Sequence, residues 1–173
     1  MGVWWSSLPP GVHCVSLLGR QTLICPPAAD TIAANRRTAD AAIFVLHGSG
    51  QSAVDMLYTE MHEAATCRNA IVVYPEMRQP RADSWGYAAD LKYFTAIVEY
   101  LEQHLRLDPA APRFVCGHSA GGTMSLFLQN QGASLFQKVA SVEGAVQAHP
   151  DLHGWDPSSP GLPALLVWNH ADP

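Results

Sequence analysis

The sequence predicts an α/β fold, a mostly parallel central sheet with helices on both faces. Three observations carry that prediction. From Ala42 onward, short apolar runs alternate with stretches of helical period. The run Phe114-Val115-Cys116 leads straight into Gly117-His118-Ser119-Ala120-Gly121-Gly122, and a helical pattern follows at once. An earlier apolar run, 42–46, ends in His47-Gly48-Ser49-Gly50. The alternation implies parallel strands joined by right-handed crossovers, and ligands of such sheets bind beyond the carboxyl ends of the strands.

The elements follow in order. After an irregular start, residues 12–18 and 21–25 read as two short strands, with Gly19-Arg20 as the hairpin turn. Residues 26–40 are alanine-rich and interrupted by proline, which reads as loop. Residues 42–46 form a continuous apolar run, the pattern of a strand buried on both faces. Residues 52–66 read as one helix. Ser52 is its N-cap with Asp55 in the reciprocal capping position, and Ala53, Leu57, Met61 and Ala64 share a face. Residues 71–74 are the next buried strand, closed by Pro75, and 76–89 are loop. Residues 90–107 give the clearest helix, with a stripe of Leu91, Phe94, Ile97, Val98, Leu101 and Leu105. Residues 113–117 are a strand and 119–131 a helix burying Met124, Phe127 and Leu128. Strands at 139–142 and 164–168 flank a proline-rich stretch without period at 144–162.

Composition bounds the rest. The chain has 173 residues, 48% hydrophobic and 14% charged, which suits one globular domain with a substantial core. The net charge is −5 and only two lysines are present, so no basic face tracks phosphates and nucleic acid is not expected as a partner. No apolar run is long enough for a membrane span. The N-terminus shows no signal-peptide pattern, and Met1-Gly2-Val3-Trp4-Trp5-Ser6 fits the loose myristoylation pattern only as an ordinary start does. The four cysteines form no Cys-x-x-Cys pair, so neither a metal nor a dithiol redox site is expected, and no cofactor is called for. Cys116 reads as a small hydrophobe in its strand. Cys14 and Cys25 are close enough in sequence to close a disulfide in an exported protein.

Gly-x-Ser-x-Gly between a strand and a helix is the pattern of a nucleophile elbow. The turn forces the serine into a strained backbone conformation and crowds the chain on either side, where Gly117 and Gly121 carry no Cβ to clash. It lifts the Ser119 hydroxyl clear of the sheet and sets the Ala120 amide at a helix N-terminus, where it suits a developing oxyanion. The bland alternative is a glycine-rich turn with a passive serine. A second oxyanion donor is expected from the loop after residues 42–46, where Gly48 and Gly50 let backbone amides approach a ligand, and the amide of Ser49 is favoured over the alternative that these glycines merely turn the chain. Asp172, just past the last predicted strand, is the candidate acid, against the alternative of a turn aspartate before Pro173. Trp85 and Tyr87 line an acyl pocket or plug the core. Asp90 is assigned to capping or to ordering a loop.

The base is harder to find. In this architecture the chain order is serine, acid, histidine, and only Pro173 follows Asp172. Of the eight histidines, His47 belongs to the glycine loop and His118 lies inside the elbow, directed away from the serine. His149 and His153 lie in the proline-rich stretch, and His170 is too close to Asp172. His13, His62 and His104 read as surface or helix-packing residues. The expectation is a chain cut short before its histidine loop and final strand, nearly inactive in isolation.

The order Leu46-His47-Gly48-Ser49-Gly50, Ile71-Val72-Val73-Tyr74-Pro75, Gly117-His118-Ser119-Ala120-Gly121-Gly122 and Ala171-Asp172-Pro173 resembles the polyhydroxybutyrate depolymerase and feruloyl esterase-like group of α/β-hydrolases. The resemblance runs from about Gly19 to the end. It implies a secreted serine esterase acting on small-molecule or polymeric esters, polyesters or hydroxycinnamate esters, with Ser119 as nucleophile and Asp172 as triad acid. Trp168-Asn169 stands where that group usually has His-Gly. The rival expectations are a general carboxylesterase, lipase or peptidase of the same fold, and a non-catalytic protein of that fold lacking the triad histidine.

Overall fold

The structure is a computed structural model that describes residues 8–27, 38–66, 68–79, 81–131, 135–145 and 164–167. Among the described residues seven strands make one sheet in the order β1-β2-β4-β3-β5-β6-β7. These are β1 His13–Leu17, β2 Arg20–Cys25, β3 Ala41–Leu46, β4 Ala70–Pro75, β5 Arg113–His118, β6 Lys138–Val142 and β7 Ala164–Val167. β1 and β2 form an antiparallel hairpin, and β2 runs antiparallel to β4. From β4 to β7 every pairing is parallel. Helices α1 Met61–Thr66, α2 Leu91–His104 and α3 Ala120–Gln131 complete the frame.

The period-2 alternation of the strands divides the core into two. Ala42, Phe44 and Leu46 of β3 and Ile71 and Val73 of β4 face one way. They pack with Phe94, Ile97 and Leu101 of α2 and Met124, Phe127 and Leu128 of α3. Val45, Val72 and Tyr74 face the other way, against Ala53, Met56 and Ala65. Both faces of the central strands are therefore covered, which is why β3 and β4 read as unbroken apolar runs. Helix α3 is buried over almost its whole circumference, Ser125 and Gln129 included. Ser125 Oγ satisfies itself on the Gly121 carbonyl at 2.8 Å.

Several expectations need correction. The hairpin turn is Leu18-Gly19, with φ of 50° and 76°, and Arg20 pairs with Leu17 inside the ladder. A leucine in the left-handed region is uncommon, so the sequence pointed one residue too far along. The single helix over 52–66 is instead a 3₁₀ turn, Asp55–Thr59, and the short α1. Glu60, at φ 51°, breaks the two apart. Ser52 is not an N-cap. Its amide and hydroxyl both donate to Asp55 Oδ2 at 2.8 Å, so only the reach-back half of the capping box exists. Ala64 is exposed and Ala65 takes its place in the core. The helix expected over 90–107 spans Leu91–His104, preceded by a 3₁₀ turn, Tyr87–Asp90, within the stretch expected to be loop. Cys14 and Cys25 are free thiols. Burial raises the Cys14 thiol and pushes Cys25 up to about 12. Most of the proline-rich stretch 144–162 lies outside the described residues, as does the whole of 168–173.

Candidate active site

Strand register brings the two glycine motifs together. β3 pairs with β5 so that Leu46 stands level with Gly117, and continuing that register sets Gly48 beside Ser119. A Cβ added to Gly48 would lie 3.3 Å from both Ser119 Cβ and the His118 carbonyl oxygen. Ser119 holds φ at 53°, the left-handed region that a serine enters at a cost. Its amide donates to the Val142 carbonyl of β6 at 2.8 Å. The neighbouring glycines have a steric cause. A Cβ on Gly117 would run into the Gly121 carbonyl, and one on Gly121 into the carbonyl oxygens of Leu46 and His47.

Helix α3 makes its first backbone bond from Thr123 to the Ser119 carbonyl, at 3.0 Å. The Ala120 amide precedes that bond and has no acceptor among the described residues, as the first turn of a helix requires. Ala120 is half-buried beside the serine.

The orientation of the glycine loop can be followed bond by bond. The Gly48 amide donates to Gln51 Oε1 at 2.8 Å and is occupied. The Gly48 carbonyl accepts from the Gln51 amide at 3.3 Å and faces His47 Nδ1 at 2.9 Å. A carbonyl only accepts, so Nδ1 carries a hydrogen. The peptide is planar and trans, so fixing the Gly48 carbonyl turns the Ser49 N–H the opposite way. That amide has no acceptor among the described residues, while the exposed Ser49 hydroxyl is tied down on the Asp83 carbonyl.

Behind this loop lies a buried polar chain that sequence reasoning missed. The β3–β4 register, carried past the strand ends, sets His47 beside Glu76. His47 Nε2 and Glu76 Oε1 are 2.9 Å apart. The other carboxylate oxygen accepts from the Ala53 amide at 3.0 Å, and the Met77 amide reaches Oε1 at 3.1 Å. The Glu76 amide donates to Tyr93 Oη at 3.2 Å, and that hydroxyl lies 2.7 Å from Thr22 Oγ1. The available signal was an ionisable residue directly after a fully buried strand. Nothing in the linear sequence linked it to His47.

Trp85 is 2% exposed; its Nε1 donates to the His47 carbonyl at 3.0 Å and its ring packs on Phe94. It plugs the core behind the loop, which corrects the acyl-pocket expectation for this residue. Tyr87 is half-buried with its ring edge on Phe127, and burial raises its hydroxyl. Asp90 orders the loop: Oδ2 accepts from the Gly86 amide at 2.7 Å and Oδ1 pairs with Arg20. It makes no side-chain cap, so the capping half of that expectation falls away. His118 Nε2 meets Glu143 Oε2 at 3.0 Å. Glu143 follows β6 with φ 54° and was not singled out in the sequence. Asp172, His149, His153 and His170 lie outside the described residues. The strand preceding Asp172, β7, is parallel to β6, so its carboxyl end lies on the same edge of the sheet as Ser119.

A mostly parallel sheet with helices on both faces and a strained serine between a strand and a helix is the frame of an α/β-hydrolase. The chain belongs to the esterase family, whose model, described as "Putative esterase", matches residues 21–172. Among solved structures it is similar to an acetyl xylan esterase from Aspergillus awamori, with TM-score 0.61 and 16% identity over 78% of this chain and 52% of that one. A ferulic acid esterase gives TM-score 0.59 and 16% identity over 85% and 62%. An α/β serine hydrolase without lid from Xanthomonas campestris gives 0.56 and 18% over 93% and 72%. At these identities the likeness is one of fold. The chain spans 52% and 62% of the first two of these relatives, less than two thirds of each. No curated protein matches it in sequence.

Proposed function

We propose that the protein hydrolyses carboxylic esters through an acyl-enzyme on Ser119. The observation that carries this reading is the meeting of Ser119, at φ 53°, with Gly48 of the glycine loop. Two amides without acceptors among the described residues, Ser49 and Ala120, flank that meeting. Membership of the esterase family supports it.

The chemistry runs in two halves. Ser119 Oγ attacks the ester carbonyl carbon while its proton passes to a histidine base, which stands outside the described residues. The carbonyl oxygen becomes an oxyanion between the amides of Ser49 and Ala120. Asp172 orients the base and stabilises its charged form. Collapse breaks the bond to the alcohol, which leaves with the proton held by the base. Water then attacks the acyl carbon by the same route and frees Ser119.

For the substrate we favour polyester or hydroxycinnamate esters, because the motif resemblance points there. The fold neighbours titled ferulic acid esterase and acetyl xylan esterase agree with an esterase of that broad kind. The test is turnover of a simple aryl ester by the full-length protein and its Ser119→Ala variant. The variant is expected to lose about 10⁴-fold or more in kcat. Retained turnover would exclude Ser119 as nucleophile.

A further inference from the structure

The side chain of Arg20 is 9% exposed and sits in a cradle. One terminal nitrogen, Nη2, pairs with Asp90 Oδ1, and the guanidinium lies 4.5 Å above the centre of the Tyr93 ring. The other terminal nitrogen, Nη1, is buried and has no hydrogen-bond partner. A buried guanidinium N–H that gains no partner is costly, because burial takes away its hydrogen bonds to solvent.

A cavity of about 390 Å³ opens at this point, between the β1–β2 turn, the loop after β4 and the first turn of α2. Arg20, Arg78, Lys92 and Tyr93 line it together with Gly19 and Ala89, and no carboxylate is among the described residues that line it. Arg78 and Lys92 are exposed and have no partner among the described residues. Lys92 is the second residue of α2, where the helix dipole disfavours a cation. The local balance is therefore positive in a chain of net charge −5 that holds only two lysines. Asp90, the nearest acid, is already taken by Arg20 and the Gly86 amide.

We infer that Arg20, Arg78 and Lys92 form a binding site for a small oxyanion, a carboxylate or a phosphate group. On binding, the Arg20 guanidinium turns its unpartnered Nη1 toward the anion in the cavity it lines, and Arg78 and Lys92 close on it from the rim. The site lies on the edge of the sheet that carries Ser119, because β2 runs antiparallel to β4 and Arg20 lies past the level of Pro75. Three strand spacings of about 4.8 Å separate β2 from β5, which puts the two centres roughly 14 Å apart. The site therefore stands whether or not Ser119 is the nucleophile.

The experiment is a titration of the protein with inorganic phosphate and, separately, with acetate, at constant ionic strength, followed by amide and arginine side-chain NMR shifts. The expected result is saturable change centred on Gly19, Arg20, Ala89 and Lys92. The double variant R78A/K92A should keep the native spectrum, since both side chains are exposed, and bind at least ten-fold more weakly. Tighter binding of phosphate assigns the site to phosphate groups, and equal or tighter binding of acetate assigns it to carboxylates. Shifts that fail to saturate, or that saturate equally in R78A/K92A, overturn the inference.

Discussion

His47 Nε2 lies 2.9 Å from Glu76 Oε1, and both side chains are buried. His47 Nδ1 is committed as a donor to the Gly48 carbonyl, and the Met77 amide bridges the pair, donating to His47 Nε2 at 3.2 Å and to Glu76 Oε1 at 3.1 Å. Glu76 thereby holds the ring that holds the Gly48 peptide, and so sets the direction of the Ser49 amide. Glu76→Leu removes the acceptor of the Ala53 amide and one of the two acceptors of the Met77 amide, and takes away the carboxylate that faces the ring. It is expected to cost about 3–5 kcal/mol in urea unfolding. Glu76→Gln keeps a donor for His47 and an acceptor for Ala53, and should cost about 1 kcal/mol. Its kcat is expected to fall by up to about 10²-fold with KM held, as when an oxyanion donor is misaimed. Equal stability of the two variants would contradict this.

The glycines of the two motifs differ in why they are glycine. A Cβ on Gly121 meets the carbonyl oxygens of Leu46 and His47, all backbone that cannot yield cheaply. Gly50 has φ 68° and nothing within 4 Å of an added Cβ. Gly121→Ala is therefore expected to destabilise by about 4 kcal/mol or more, or to leave the protein insoluble. Gly50→Ala should cost about 1–2 kcal/mol, the strain of a left-handed alanine. Unfolding midpoints of the two variants test the contrast.

Burial also sets an alkaline limit. It pushes Cys25, Tyr74 and Tyr93 up to about 12 and Cys116 to about 11, from ordinary values of 9.0 for the thiols and 10.0 for the phenols. Above those ordinary values the unfolded chain releases protons that the folded chain keeps, so stability falls as pH rises. Stability from these groups is complete below about pH 9 and is lost as pH climbs through about 11 to 12. Urea midpoints should decline steadily from pH 9 to 11. A flat profile to pH 11 would contradict the burial of these groups.

The same burial predicts thiol reactivity. Cys14 is exposed and Cys25 is buried, and neither is bonded to the other. In a Cys67→Ser background, a thiol-reactive dye at pH 8 should label Cys14 alone in the native protein. Cys25 and Cys116 should react only after unfolding, because neutral thiols covered by packing, Cys25 fully and Cys116 in part, are poor nucleophiles. Rapid labelling of all three in the native state would refute the packing around β2 and β5.

Much of this architecture was written locally. β3, β4 and β5 are short apolar runs ended by turn chemistry, and the Ser119 turn announces itself through glycines that sterics demand. What escaped the sequence is set by contacts between distant segments. The helix expected from Ser52 breaks at Glu60, where Asp55 turns back on Ser52 and the His62 amide donates to Tyr74 Oη. The Glu76–His47 pair exists only because two parallel strands share a register, and Arg20 finds Asp90 across the hairpin. Trp85 looked like either a pocket wall or a plug, and only the carbonyl of His47 decides which.

The most direct measurement of the central claim is to trap the acyl-enzyme. The full-length protein is mixed with an aryl acetate, quenched in acid within the burst, digested and mapped by mass spectrometry. The account predicts one acetyl group, on the peptide carrying Ser119, and none in the Ser119→Ala variant. An acetyl group on another residue, or an unchanged adduct in the variant, would contradict it.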